Sequence, residues 1–202
     1  MSAPKNACAL ACYSMTAKYF FSETTFDQIL KISDWSPNYV AWPFKFWKWI
    51  MDQGIKITDF DLIDYKRWLN KGVSALKSSL TEKEFDWLRK NSQDLSIIGK
   101  DLKKVVEHRN FTHRRGKPKF SDLKSAVKKK SVCEVVLDSR TLDKKEGFSL
   151  HRVVVTGINK NKVTFHDPRG NKTIAGRTES LSHFKRAWLV AVSDPELCIY
   201  SK

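Results

Sequence analysis

Three residues of this chain have types and spacing suited to nucleophilic chemistry. Cys8 opens the segment Ala7 to Phe21, whose apolar residues recur at helical spacing. A thiol at a helix N-terminus sits where free backbone N–H groups and the helix dipole favour an anion, so its thiolate fraction rises. A nucleophilic cysteine also needs a base, and the base needs an orienting group. His151 begins the run His-Arg-Val-Val-Val-Thr-Gly, and Asp167 ends the run Val-Thr-Phe-His-Asp. The turn Ile158-Asn159-Lys160-Asn161 between them brings the two ends side by side if both runs are paired strands. A carboxylate beside an imidazole fixes its tautomer and stabilises the imidazolium. His166 neighbours Asp167 but points to the opposite strand face, which gives it a structural or solvent-facing role. Cys12, one helical turn after Cys8, reads as core packing.

The elements that must position these residues fall in an α+β order. Leu10, Ala11, Met15 and Tyr19 mark the first helix, with Asn6 as its N-cap. Thr25 caps a second helix, and a third runs from about Val40 to Gln53, where Gly54 stops it. Ile55 to Phe60 alternates as a short strand. Residues 64–92 read as helical pieces, one opened by the capping box Thr81/Glu84. Residues 92–119 carry the least regular pattern, and Ser121 caps a short basic helix from Asp122 to Lys130. Val132 to Leu137, Leu150 to Thr156, Lys162 to His166 and Trp188 to Val192 read as a meander of antiparallel strands, with Asp167 to Asn171 as one of its turns. The tryptophans at 42, 47, 49, 68 and 87 read as core.

The residues around these positions resemble a known family. Cys8-Ala9-Leu10-Ala11-Cys12-Tyr13-Ser14-Met15, followed by Tyr19-Phe20, is similar to the nucleophile helix of C39-like, papain-superfamily cysteine peptidases, which reads C-G-P-A-C-x-x-M and ends in an aromatic pair. His151-Arg-Val-Val-Val-Thr-Gly-Ile and Val163-Thr-Phe-His-Asp167-Pro168 resemble the family's H-x-V-V-V-T-G and V-x-x-x-D-P. Ser180 to Trp188 fits its closing helix and strand. The resemblance covers roughly the first 20 and last 70 residues. It implies a single papain-like domain over 1–202. A helical lobe of about 1–130 holds the nucleophile helix, and a lobe of about 131–202 holds the antiparallel sheet. It also implies Cys8 as nucleophile, His151 as general base and Asp167 as orienting carboxylate, acting on a peptide or protein through an acyl-enzyme. Three positions depart from the pattern. Ala9-Leu10 stands where the family has Gly-Pro, and Ser2 stands where it has an oxyanion-donating Gln. Loss of such a donor costs ~3–4 kcal/mol of transition-state stabilisation. Asn6 is the nearest amide that could replace it.

Composition bounds the alternatives. The chain has 202 residues, 41% of them hydrophobic, enough for one domain with a real core. No apolar run approaches the ~18 residues of a membrane span, and the N-terminus opens onto no signal-type stretch. The expected location is therefore the cytoplasm, with the cysteines reduced. Four cysteines make neither a disulfide scaffold nor, with five histidines so placed, a zinc cluster. No phosphate-binding, dinucleotide-binding, zincin or serine-hydrolase motif is present, so no cofactor is expected. The net charge is +15, and residues 100–130 hold 12 Lys+Arg against 3 Asp+Glu. That stretch is a solvated basic face that could contact nucleic acid or an acidic partner. Two other functions stay open at this point: a basic binding protein on an inactive papain-like fold, and a cysteine-dependent acyl transferase or deamidase.

Overall fold

Helix α1 covers Cys8–Phe20 in the computed structural model, which describes residues 7–37, 39–169 and 172–202. Its small and polar residues Ser14, Thr16 and Ala17 are buried beside Leu10, Cys12 and Tyr13, so the helix approaches its neighbours closely. Helix α2 (Phe26–Ser33) starts at a capping box made by Thr25 and Gln28. Helix α3 (Phe44–Asp52) begins later than the expected Val40, because Pro43 holds the N-cap position and disfavours helical backbone in the residue before it. Strand β1 (Lys56–Asp61) follows as expected. Helix α4 (Tyr65–Lys71), a 3₁₀ turn (Val73–Ser78) and α5 (Glu82–Asn91), opened by Thr81 and Glu84, make up the helical pieces.

The stretch 92–119 corrects the sequence reading, since most of it is regular. Helix α6 spans Leu95–Val106, with Asp94 accepting a bond from Ser96 N–H at 2.8 Å. Leu95, Ile98, Leu102 and Val105 form its buried stripe. Strand β2 (Phe111–Arg115) has no apolar alternation to announce it and is held by pairing with β1. Helix α7 (Phe120–Lys128) starts ahead of Ser121, because Asp122 reaches back to accept the Lys119 N–H at 2.7 Å.

The C-terminal third contains β3 (Val132–Asp138), the short helix α8 (Ser139–Leu142), β4 (Leu150–Ile158), β5 (Lys162–Arg169), β6 (Lys172–Ser180), α9 (Leu181–Lys185) and β7 (Leu197–Ser201). Trp188 to Val192 is not a strand. Ser180 caps α9 by accepting the His183 N–H, and the chain continues through a π-type turn over Arg186–Val190. Phe184, Ala187 and Trp188 are buried at helical spacing, and Trp188 Nε1 donates to the Glu196 carbonyl at 3.0 Å. The expected turn at 167–171 is narrower, with β5 running to Arg169 and β6 resuming at Lys172.

The described strands form one mixed sheet in the order β2-β1-β7-β3-β4-β5-β6, antiparallel except for β1–β2. The sheet is thus not confined to the C-terminal third, and β7 from the end of the chain lies between β1 and β3. Strand β3 is buried at all seven positions, as a strand must be when both faces are covered. One face carries Val132, Val154, Cys198 and Tyr200 against α1, α3 and α6. The other carries Val135, Val153, Phe165 and Leu197 against Leu123 of α7, Leu142, Phe184 and Trp188.

Trp188 is fully buried, whereas Trp87 is 52% exposed. Trp188→Ala should therefore lower the unfolding free energy by ~3–5 kcal/mol in urea denaturation, and Trp87→Ala by less than ~0.5 kcal/mol. Equal losses at the two positions would contradict this core.

Candidate active site

Strands β4 and β5 set the distance between His151 and Asp167. Their register pairs Val154 with His166 and shifts between Val155 and Gly157. His151 and Asp167 come together next to this paired stretch, with His151 Nε2 2.6 Å from Asp167 Oδ1. Asp167 is fully buried and His151 nearly so. His166 lies on the other strand face, where its Nδ1 accepts the Gly176 N–H at 3.2 Å.

Cys8 is the first residue of α1 and is half-buried. Ala7 offers no side-chain cap, and no acidic residue occupies the first turn. The leading N–H groups and the dipole of α1 are therefore left to act on the thiol. Burial opposes Cys8 ionisation, but a hydrogen bond and the charge of His151, followed by the Arg152 backbone N–H, bring the thiol below its ordinary range. With Nε2 bound to Asp167, Nδ1 is the ring nitrogen left for Cys8. Burial disfavours the imidazolium too, but the Asp167 hydrogen bond and the Cys8 thiolate outweigh it and raise His151 to about 9. Burial pushes the other three thiols the opposite way: Cys12 and Cys198 well up, and Cys133 to about 12. Cys12 is core, as expected, and donates to the Arg152 carbonyl at 3.3 Å.

A buried polar network places α1 over the sheet. Thr16 Oγ1 donates to Glu134 Oε1 at 2.6 Å, and Arg152 Nη1 approaches Glu134 Oε2 at 3.5 Å. Arg152 Nη2 also pairs with Glu196, and its guanidinium lies 6.0 Å from the Tyr13 ring centroid. Arg152 thus meets α1 through its side chain at Tyr13 and its carbonyl at Cys12.

Sequence reasoning did not find the groups behind Asp167. Asp167 Oδ2 accepts Arg169 Nε at 2.7 Å and Arg177 Nη1 at 2.9 Å. Asp143 binds both arginines in turn. Burial opposes Asp167 ionisation, but His151, then Arg177 and Arg169, hold its carboxyl below the usual range. The available signal was the alternation of Arg177 and Glu179 in Thr173 to Ser180, obscured by Gly176.

Asn6 lies outside the described residues. The 12 basic side chains of 100–130 are exposed on α6, β2, α7 and their flanking loops, and Lys103, Lys104 and Arg115 pair with Glu107, Asp101 and Asp64. Among the described residues no cluster of His, Cys, Asp or Glu could hold a metal, and no helix is long and apolar enough to cross a membrane. Compared with protein-family models and with curated proteins, the chain matches none.

Glu134 is fully buried, so removing its partner leaves an uncompensated charge. Arg152→Met should cost ~3–5 kcal/mol of stability in urea denaturation, more than Arg152→Met combined with Glu134→Leu. A single variant no less stable than the double would show that the pair does not hold α1.

Proposed function

We propose that this chain is a papain-like thiol hydrolase that cleaves a peptide or amide bond. The observation that carries the reading is the contrast among the four cysteines. Only Cys8, at a helix start and paired with His151, has a lowered thiol pKa. The Cys8 thiolate attacks the substrate carbonyl carbon, and the carbonyl electrons move onto oxygen. The Cys8 backbone N–H, unpaired within α1, is a donor for that oxyanion. As the tetrahedral intermediate collapses, the C–N bond breaks and the His151 imidazolium gives its proton to the leaving amine. The neutral imidazole then takes a proton from water, whose oxygen attacks the thioester. Collapse releases the acid and restores thiolate and imidazolium. Asp167 keeps the ring oriented and stays ionised throughout.

The pH dependence has a defined sign. The nucleophile is lost as the thiolate is protonated in acid, and the proton donor is lost as His151 deprotonates near 9. Turnover should trace a bell whose alkaline limb falls near pH 9. Alkylation by iodoacetamide should label Cys8 first at neutral pH, and His151→Ala should slow it. Labelling of Cys8 no faster than Cys133, and indifferent to His151→Ala, would overturn the proposal.

A further inference from the structure

The proposed triad ends at Asp167, but the hydrogen bonds continue. Asp167 is fully buried and uses both oxygens: Oδ1 faces His151, and Oδ2 takes one N–H from each of two arginines. The two arginines are not equivalent. Arg169 leaves its Nη2 without a partner among the described residues. Arg177 uses every nitrogen: Nε and Nη2 to Glu179 Oε1 at 3.1 and 2.8 Å, Nη1 to Asp143 Oδ1 at 3.0 Å and to Asp167, and Nη2 also to the Leu142 carbonyl at 3.1 Å. It is the better-fixed donor, and it ties Asp167 to α8 and β6.

The backbone places it there through an irregularity. Phe165 pairs with Arg177, but Asp167 pairs with Ile174, so β6 has one more residue than β5 over this interval. Gly176, at φ +66°, takes up the extra residue in left-handed backbone that favours glycine. Two residues three apart, Ile174 and Arg177, thereby oppose residues of the same β5 face. In regular pairing Arg177 would turn away from Asp167.

We infer that Arg177 is a positioning residue of the active site, holding Asp167 by its outer oxygen so that the inner one stays on His151. The inference rests on the hydrolase reading of the triad. The charged groups around His151 and Asp167 are Cys8 of α1, Arg152 of β4, Arg169 of β5, Arg177 and Glu179 of β6, and Asp143 after α8. Without Arg177, Asp167 keeps only Arg169 on Oδ2 and is free to swing towards it. His151 then loses its acceptor, its imidazolium is less favoured, and Cys8 loses its ion-pair partner.

The test is the pH profile of Cys8 alkylation by iodoacetamide in the full chain, with the His151 ring titrated by NMR and assigned through His151→Ala. Arg177→Met should lower the His151 titration by roughly one pH unit or more and slow alkylation at pH 6 roughly tenfold. Arg177→Lys should recover part of both, and Asp143→Asn should shift both in the direction of Arg177→Met. Wild-type profiles in Arg177→Met, even with a lower melting temperature, would reduce Arg177 to a structural role and overturn the inference. A rise in the His151 titration would assign it to charge screening, which also overturns it. Should Arg177→Met fail to fold, Arg177→Lys and Asp143→Asn decide the matter by the same readouts. Asp167→Asn separates this result from failure of the triad: if it and His151→Ala both leave Cys8 reactivity unchanged, the hydrolase reading itself falls.

Discussion

Glu134 lies fully buried on the sheet face beneath α1, and the need to satisfy its carboxylate constrains everything around the site. Burial pushes its carboxyl up, while Arg152 and Thr16 pull it back. A carboxylate in such a place must be given partners, and the partners come from two directions: a hydroxyl from the helix and a guanidinium from the neighbouring strand. Any rotation or slide of α1 withdraws Thr16 and strands the charge. Apolar contacts alone would tolerate such a slide, because they are nondirectional. The polar pair thus contributes placement more than stability. Since Cys8 is two turns above Thr16, fixing Thr16 fixes Cys8.

Buried charge extends from Arg152 away from Cys8 and His151. Arg152 pairs with Glu196, and the field of Glu196 reaches Asp59 and Asp61 on β1. Both carboxyls contact the Tyr65 hydroxyl, at 3.1 and 3.0 Å. A phenol has one proton to donate, so two such hydrogen bonds require a proton on one of the carboxyls. Burial, with neighbouring acids adding to it, pushes Asp59 up to about 8 in keeping with that requirement. The two ends of this face therefore differ in kind: near α1 a carboxylate is partnered by a guanidinium, whereas beside Tyr65 two carboxyls share one hydroxyl. Arg152 stands at the Glu134 end, between Glu134 and Glu196.

Interruptions in strand pairing concentrate where the chemistry is proposed. Strand β5 is irregular against β4 near Val155 and against β6 near Asp167. Regular pairing repeats every second residue and would send alternate side chains to opposite faces. An extra residue on one strand breaks that alternation and brings together groups that a regular sheet separates. His151, Asp167 and Arg177 converge on one face by this means.

The local signals in the chain were enough for the pieces that bear the proposed chemistry. Helical spacing after Cys8 marks α1, and β-branched runs after His151 and before Asp167, with turn residues between them, mark the two strands. The shift near Val155 that sets His151 and Asp167 on one face, and the approach of α1 to them, are not local. The capping residues Thr25, Thr81 and Glu84 act within one turn, so they are legible locally. What lay beyond reach depends on residues far apart in sequence. Strand β2, with five mostly polar residues, exists because β1 is there to pair with it. The run Trp188 to Val192 has strand-like composition, yet the helix begun at Ser180 carries through it because Phe184 and Trp188 share one buried face. Arg177 is 10 residues from Asp167 and 34 from Asp143, and one inserted glycine decides which way it faces. Sequence sets propensities over a few residues through sterics and capping. Which buried charge meets which partner is set by strand register, and register is decided by packing across the whole sheet.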